Sequence, residues 1–292
     1  MEQKLNFSQR LGLSPLSKPM QITGIDADLK NSLWNLIYRQ FCENLHRIEK
    51  SGSTYELHHI NEIQSFIWTD FFKREVDRQP YGSQNFIETI RSFFYECEWN
   101  KIYELIEFCA NIESRIINIS TFELEFNKVA EREFSPYRLI SRIISPISND
   151  SEIKEIKSAI ENSNEFTSLQ GCNIHLTAAL RKLSDRENPD YRNSIKESIS
   201  AVESIAKTIS EEDSKSLKPA LDKIKKPLGL HQALVTAFGS LYGYTSDEGG
   251  IRHAMMETNT SDFEDAKYML VSCSAFINYL IAKCAKAGIA LS

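Results

Sequence analysis

Arg252 and His253 stand side by side directly after Gly249 and Gly250. They close a stretch, Leu241-Tyr-Gly-Tyr-Thr-Ser-Asp-Glu-Gly-Gly-Ile-Arg-His-Ala254, that separates two strongly helical segments. A guanidinium holds phosphate oxygens through a planar fork of donors, and an imidazole exchanges protons near neutral pH. Together these side chains suit phosphodiester chemistry. Glycine gives the backbone access to left-handed and crowded conformations, and Ser246 and Asp247 can bond neighbouring backbone groups. The stretch is therefore predicted to be a tight structured connection that presents Arg252 and His253 where the next helix begins. Asp247 is open between loop architecture and proton chemistry, and Tyr242 and Tyr244 between stacking a base and packing the loop. The competing reading makes Arg252 one half of a surface ion pair and His253 a cap or a packed side chain.

The rest of the chain has to position that loop. With 292 residues it is long enough for two domains of ordinary size. A formal charge of −6 argues against a protein that coats nucleic acid throughout, because that mode needs many basic phosphate contacts, but it leaves room for a local basic site. The six cysteines, at 42, 97, 109, 172, 273 and 284, form no CxxC pair and have no histidines at zinc-ligand spacing. They read as reduced, mostly buried thiols of a cytoplasmic protein, and neither a metal nor a cofactor is expected. The opening residues carry no apolar signal core. Tyr268 to Ala282 is free of charge but shorter than the ~20 residues a membrane span needs, and Lys283 and Lys286 follow it. A bundle-core helix, with no membrane partner, is the expectation.

Apolar periodicity of three and four residues dominates both halves. Residues 1–23 should form an arm packed locally through Phe7, Leu11 and Leu13. A long helix is expected from Asp26 to Ser51-Gly52, and another stretch opening at His58-His59. Those two histidines would point about 100° apart, which makes them poor joint ligands for one metal. Phe86 to Ile112 and Thr121 to Glu133 read as further helices. Tyr137 to Ile147, with branched residues bounded by prolines, suits one or two small strands.

A helix capped at Asn149-Asp150-Ser151 should connect the halves. Beyond it come four helical stretches joined by short turns. The first, Ser168 to Arg186, is expected to place Ile174, Leu176, Leu180 and Leu183 inside. The second carries a stripe of Ile195, Ile199, Val202, Ala206 and Ile209, with Ser198 and Glu203 along its margins. The third is broken into Leu217–Lys226 and Leu230–Tyr242. The last, Phe263 to about Lys286, should start from a capping box at Ser261-Asp-Phe-Glu264. The fold class expected is mainly α, with two helical domains and a short β hairpin near residues 137–147.

Two segments resemble a known family. Asn188-Pro-Asp-Tyr-Arg-Asn-Ser-Ile-Lys-Glu-Ser-Ile-Ser-Ala-Val-Glu-Ser204 and Gly249-Gly-Ile-Arg-His-Ala254 resemble the HEPN-type four-helix domain that closes AbiJ-like bacterial abortive-infection proteins. Phe7-Ser-Gln-Arg-Leu-Gly12 and the Leu33-Trp34 helix look like the N-terminal domain that accompanies it. The expected organisation is an AbiJ-type domain over 1–148, a connector helix over 149–165 and a HEPN-like bundle over 166–292. The resemblance implies an anti-phage role and a dimeric, metal-independent endoribonuclease whose arginine, polar residue and histidine meet at the dimer seam. Carried over, His253 matches the histidine and Asp247 the polar residue. Ser246 stands where the arginine is expected, with Arg252 available beside the histidine. Arg252, Tyr244 and Ser246 would then contact RNA. Glu203 would orient His253 or Arg252, unless it is an ordinary solvent-facing glutamate. The implied partners are RNA, a second copy of the chain through the C-terminal bundle, and a phage trigger or neutralising partner. Two other readings are an inactive HEPN module that binds a nucleotide, RNA or a protein, and an oligomerisation scaffold that associates through the last helix.

Overall fold

Leu29, Leu33, Trp34, Leu36 and Ile37 recur at helical spacing, and all five are buried on α1 (Ala27–Ile37). Asp26 starts that helix by accepting the Leu29 N–H at 2.8 Å. The structure, a computed structural model, describes residues 7, 11, 19–112, 117–185, 188–211, 217–246 and 261–292. The chain divides into two units, Met1–Pro146 and Ile147–Ser292.

In the first unit, the helical path expected from Asp26 to Gly52 is continuous. It runs through α1, a π-helical segment (Tyr38–Cys42) and α2 (Glu43–Ser51). The widened turn sends consecutive residues Phe41 and Cys42 into the core, both fully buried. Helix α3 (Thr54–Phe66) begins four residues before His58, because Ser53 and Glu56 form a reciprocal capping box. His58 and His59 both lean on Glu62, at 3.5 and 3.7 Å.

The single stretch expected from Phe86 to Ile112 is two helices, α4 (Ser83–Glu96) and α5 (Trp99–Asn111). The break falls at Cys97, which is extended, and nothing in the local sequence flags it. Helix α6 (Ile119–Arg132) leads to strands β1 (Arg138–Ile140) and β2 (Ile143–Ser145), paired antiparallel with Leu139 opposite Ile144. Ser141 and Arg142 form the turn with φ of 48° and 69°, the left-handed pair that matches strand twist. Phe41, Phe86, Phe94, Phe122 and Phe126 fill the core. The arm does not behave as expected at its two described residues: Phe7 and Leu11 are 66% and 57% exposed. Leu13 lies outside the described residues.

The second unit comprises α7 (Asp150–Asn164), α8 (Gln170–Ser184), α9 (Tyr191–Ser210), α10 (Leu217–Lys225), α11 (Gln232–Ser246) and α12 (Phe263–Ala287). Helix α9 is its axis and packs against α8, α10, α11 and α12. Helix α7, the expected connector, packs along α12 and α8. Gly171 lets α8 approach α9 closely, since a Cβ there would sit 2.9 Å from Ser204 Oγ.

Two sequence expectations fail here. Ile174 faces solvent at 59% exposure, and Cys172 and Ala179 take the inner face of α8 beside Leu176 and Leu180. Ser198, expected on a margin, is fully buried and donates to Ser194 O at 2.9 Å, while Ser194 donates to Ala179 O at 2.8 Å. Both hydroxyls enter the core with their hydrogen bonds satisfied within the bundle.

Helix α12 is long and apolar enough to cross a membrane by length and composition. Its apolar face is instead covered: Leu270, Cys273, Ile277 and Leu280 are fully buried among α7, α8 and α9. Asn278 adds a polar clasp, donating to Glu155 O and Oε2 at 3.0 Å and accepting from Asn162 Nδ2 at 3.2 Å.

Candidate functional site

The stretch expected to be one loop from Leu241 is helical over its first six residues. Helix α11 continues through Tyr242, Gly243 and Tyr244 to Ser246. Thr245 is fully buried and its hydroxyl bonds Tyr242 O at 2.8 Å, the back-bond by which a threonine is accommodated in a helix. Asp247, Arg252 and His253 lie outside the described residues, as does everything between 247 and 260. The frame that holds both ends of that segment is described.

At the far end, α12 is capped by Asp262, one residue later than the sequence suggests. Asp262 Oδ1 accepts the Asp265 N–H at 3.0 Å, and Asp265 Oδ2 accepts the Asp262 N–H at 3.2 Å. The side chain at the third position is therefore an aspartate, Asp265, and not Glu264. Tyr191, first residue of α9, meets Phe263, first residue of α12, edge to face with ring centroids 6.2 Å apart. Lys267 lies over the Phe263 ring at 5.7 Å and pairs with Glu152 at 3.6 Å.

Tyr244, half exposed at the end of α11, senses the same region. Burial pushes its phenol up, and the negative charges of Asp265 and Asp262 push the same way. The C-terminus of α11 and the N-termini of α9 and α12 thus surround one end of the second unit. A segment strung from Ser246 to Ser261 begins and ends there.

The start of α9 is pinned. Asp190 accepts the Asn193 N–H at 3.1 Å and its side-chain amide at 2.7 Å, and Lys182 approaches at 3.7 Å. Burial opposes ionisation of Asp190, but these hydrogen bonds and the ammonium outweigh it and hold the carboxyl below its usual range. Glu203 sits on the same helix, about 18 Å along the axis from Tyr191. It pairs with Lys207 at 2.8 Å and is largely covered. This is the carboxylate that the sequence offers as a support for His253 or Arg252, both of which lie outside the described residues.

One polar pair in this unit had no sequence signal. His175 Nδ1 on α8 lies 2.6 Å from Glu197 Oε2 on α9, both partly exposed. The two residues are 22 apart and on different helices, so no spacing rule could join them. A carboxylate against one ring nitrogen fixes the ring's orientation and leaves the other nitrogen for a further partner. Among the described residues no group of three or more His, Cys, Asp or Glu side chains could hold a metal ion.

In comparisons with known proteins, the family model described as AbiJ N-terminal domain 4 matches residues 5–162. No curated protein and no solved structure matches the chain.

Proposed function

The chain belongs to the AbiJ family and has an abortive-infection, anti-phage role; from that premise we propose that its C-terminal unit is a HEPN-type, metal-independent endoribonuclease. The observation that carries this reading is the pairing of an AbiJ N-terminal domain with a helical unit whose α11–α12 connection contains Gly249-Gly-Ile-Arg-His-Ala254. The described helix ends that flank this connection, those of α11 and α12, lie at one end of the bundle beside the start of α9. The chain acts in the cytoplasm, as a homodimer through its C-terminal unit, and answers a phage trigger or a neutralising partner.

In the proposed chemistry a base removes the proton from a ribose 2′-OH, and that oxygen attacks the adjacent phosphorus. The bond to the 5′-oxygen breaks as an acid protonates it. The products are a 2′,3′-cyclic phosphate and a 5′-hydroxyl. His253 performs one or both proton transfers, a contribution of ~100- to 10,000-fold for a well-placed group. Arg252 holds the phosphate and offsets the charge that gathers as the new bond forms. Asp247 orients the pair, and Tyr244 and Ser246 contact the RNA.

The test is cleavage of RNA by the full chain in excess EDTA, wild type beside His253→Ala. Products ending in cyclic phosphate from the wild type alone are expected, and equal cleavage by both removes the reading. A second reading rests on Ser246, the last described residue of α11, which stands where the HEPN arginine is expected. It makes the unit a non-catalytic module that binds RNA, a nucleotide or a protein. Binding without product, weakened in Arg252→Ala, selects it.

A further inference from the structure

Helix α1 with its π segment and helix α6 enclose a cleft of about 320 Å³ in the first unit, floored by Leu36 and Val129. Its wall carries Ser32, Asn35, Arg39 and Gln40 from one side and Glu125 and Arg132 from the other.

The two arginines differ in what they already hold. Arg132 donates to Glu133 Oε1 at 2.8 Å and to Ser32 Oγ at 2.9 Å, and Ser32 donates to the same carboxylate at 3.1 Å, which closes a triangle. Glu125 is neutralised by Lys128 at 2.8 Å. Arg39 makes no hydrogen bond or ion pair to another described residue, and the side-chain amides of Asn35 and Gln40 make none either. Once the paired charges are set aside, the cleft has one uncompensated cation among the described residues.

Backbone geometry brings these groups together. In a regular α-helix Asn35 and Arg39 share a face, and Gln40 is about 100° further round. The π segment that starts at Tyr38 closes its turn through Glu43 N to Tyr38 O, and the wider turn brings Gln40 onto the wall that Arg39 occupies. Such single widened turns are frequent at functional sites.

We propose that this cleft binds a phosphorylated small molecule of mononucleotide size, with Arg39 holding the phosphate and Asn35 and Gln40 bonding the remainder. A guanidinium fork matches phosphate oxygens in pairs, and carboxamides offer a donor and an acceptor each, as base and sugar edges require. The volume is at the small end of ligand sites, which excludes a large cofactor. This site is in the N-terminal unit and does not depend on the ribonuclease reading.

The experiment is calorimetric titration of the full chain with inorganic phosphate, ribose 5-phosphate and the four ribonucleoside monophosphates. Saturable binding of at least one probe is expected, weakened roughly tenfold or more in Arg39→Gln by the loss of a charge-assisted pair. Arg39→Lys keeps the charge without the fork and should also weaken binding. Lys101→Ala, on α5 and outside the cleft, should not. Binding by phosphate alone as tight as by any nucleotide assigns the site to the anion, and tighter binding of one nucleotide assigns it to that base; both support the site. Absence of binding by every probe at millimolar concentration overturns it, as does affinity undiminished in both Arg39 variants.

Discussion

Glu49 caps a helix to which it does not belong. Its Oε1, on α2, accepts the Ser83 backbone N–H at 2.9 Å, and its Oε2 accepts the Ser83 hydroxyl, at the first turn of α4. The residue at the cap position itself is Gly82, at φ 82°, which has no side chain to offer. The carboxylate therefore arrives from another helix and joins α2 to α4 while it satisfies a helix N-terminus.

Glu49→Ala should destabilise the chain by about 0.5–2 kcal/mol, the range for losing a cap, as measured by urea denaturation. The Ser83 hydroxyl holds the Glu49 carboxyl below the usual range, with burial opposing it and the Ser83 N–H assisting. A lowered folded value means the stabilisation is complete above the unfolded value and disappears as pH falls through the folded one. Wild type should thus lose part of its advantage over Glu49→Gln on acidification below the ordinary glutamate range. Glu49 is exposed, so solvent and salt keep that difference small.

Phe238 on α11 stacks on Phe276 of α12 with centroids 3.6 Å apart and planes 13° from parallel. Phe276 is 4% exposed. Phe276→Ala should cost about 3–5 kcal/mol by removing this contact and leaving a cavity, and Phe276→Leu much less. Thermal unfolding of the two variants checks the order; equal loss would show that the aromatic stack itself, and not buried apolar volume, ties α11 to α12.

All six cysteines are free. Burial pushes Cys109 and Cys172 up to about 12, and it raises Cys42, Cys273, Cys284 and Cys97 as well. Native protein at neutral pH should resist iodoacetamide, with half-buried Cys97 the first to react, and all six should label in denaturant. Mass spectrometry of a short labelling pulse reads this directly. Prompt labelling of Cys109 in native protein would contradict the packing of α5.

Arg252→Lys preserves a positive charge but not a two-pronged donor. If Arg252 holds the scissile phosphate as proposed, the substitution should lower RNA cleavage tenfold or so, and Arg252→Ala should lower it further. Single-turnover rates in EDTA measure both. An unchanged rate in either variant removes Arg252 from the chemistry and leaves His253 to be tested alone.

Much of the fold could be read from spacing. Leu29, Leu33 and Ile37 announce α1, and Ile195, Ile199 and Val202 announce the stripe of α9, because a helix buried on one side repeats its apolar residues at the helical period. The hairpin was legible in the branched residues between Pro136 and Pro146. The failures are places where tertiary packing outweighs local pattern. Ile174 and Cys172 lie on different faces of α8, and proximity to α9 at Gly171 selects the smaller residue. The chain turns at Cys97 without glycine or proline. Gly243 does not end α11, since buried Thr245 continues it.

The candidate loop was conspicuous as a composition of glycines, arginine and histidine, and the helix ends that frame it are described. Its own residues from 247 to 260 lie outside the described residues. The His175–Glu197 pair and the α1–α6 cleft were invisible for a different reason. Each is assembled from helices far apart in sequence, where no periodicity connects the partners.

The amide of Asn278 does more than fill its hydrogen bonds. An apolar rod can slide or roll among greasy neighbours at small cost, but Glu155 and Asn162 accept only one angular setting of α12. Phe263 lies some 15 residues upstream, about 22 Å along the same shaft. Fixing the rotation at one end therefore aims the other, and the heading on which the chain enters α12 at Asp262 is decided by a clasp more than four turns away.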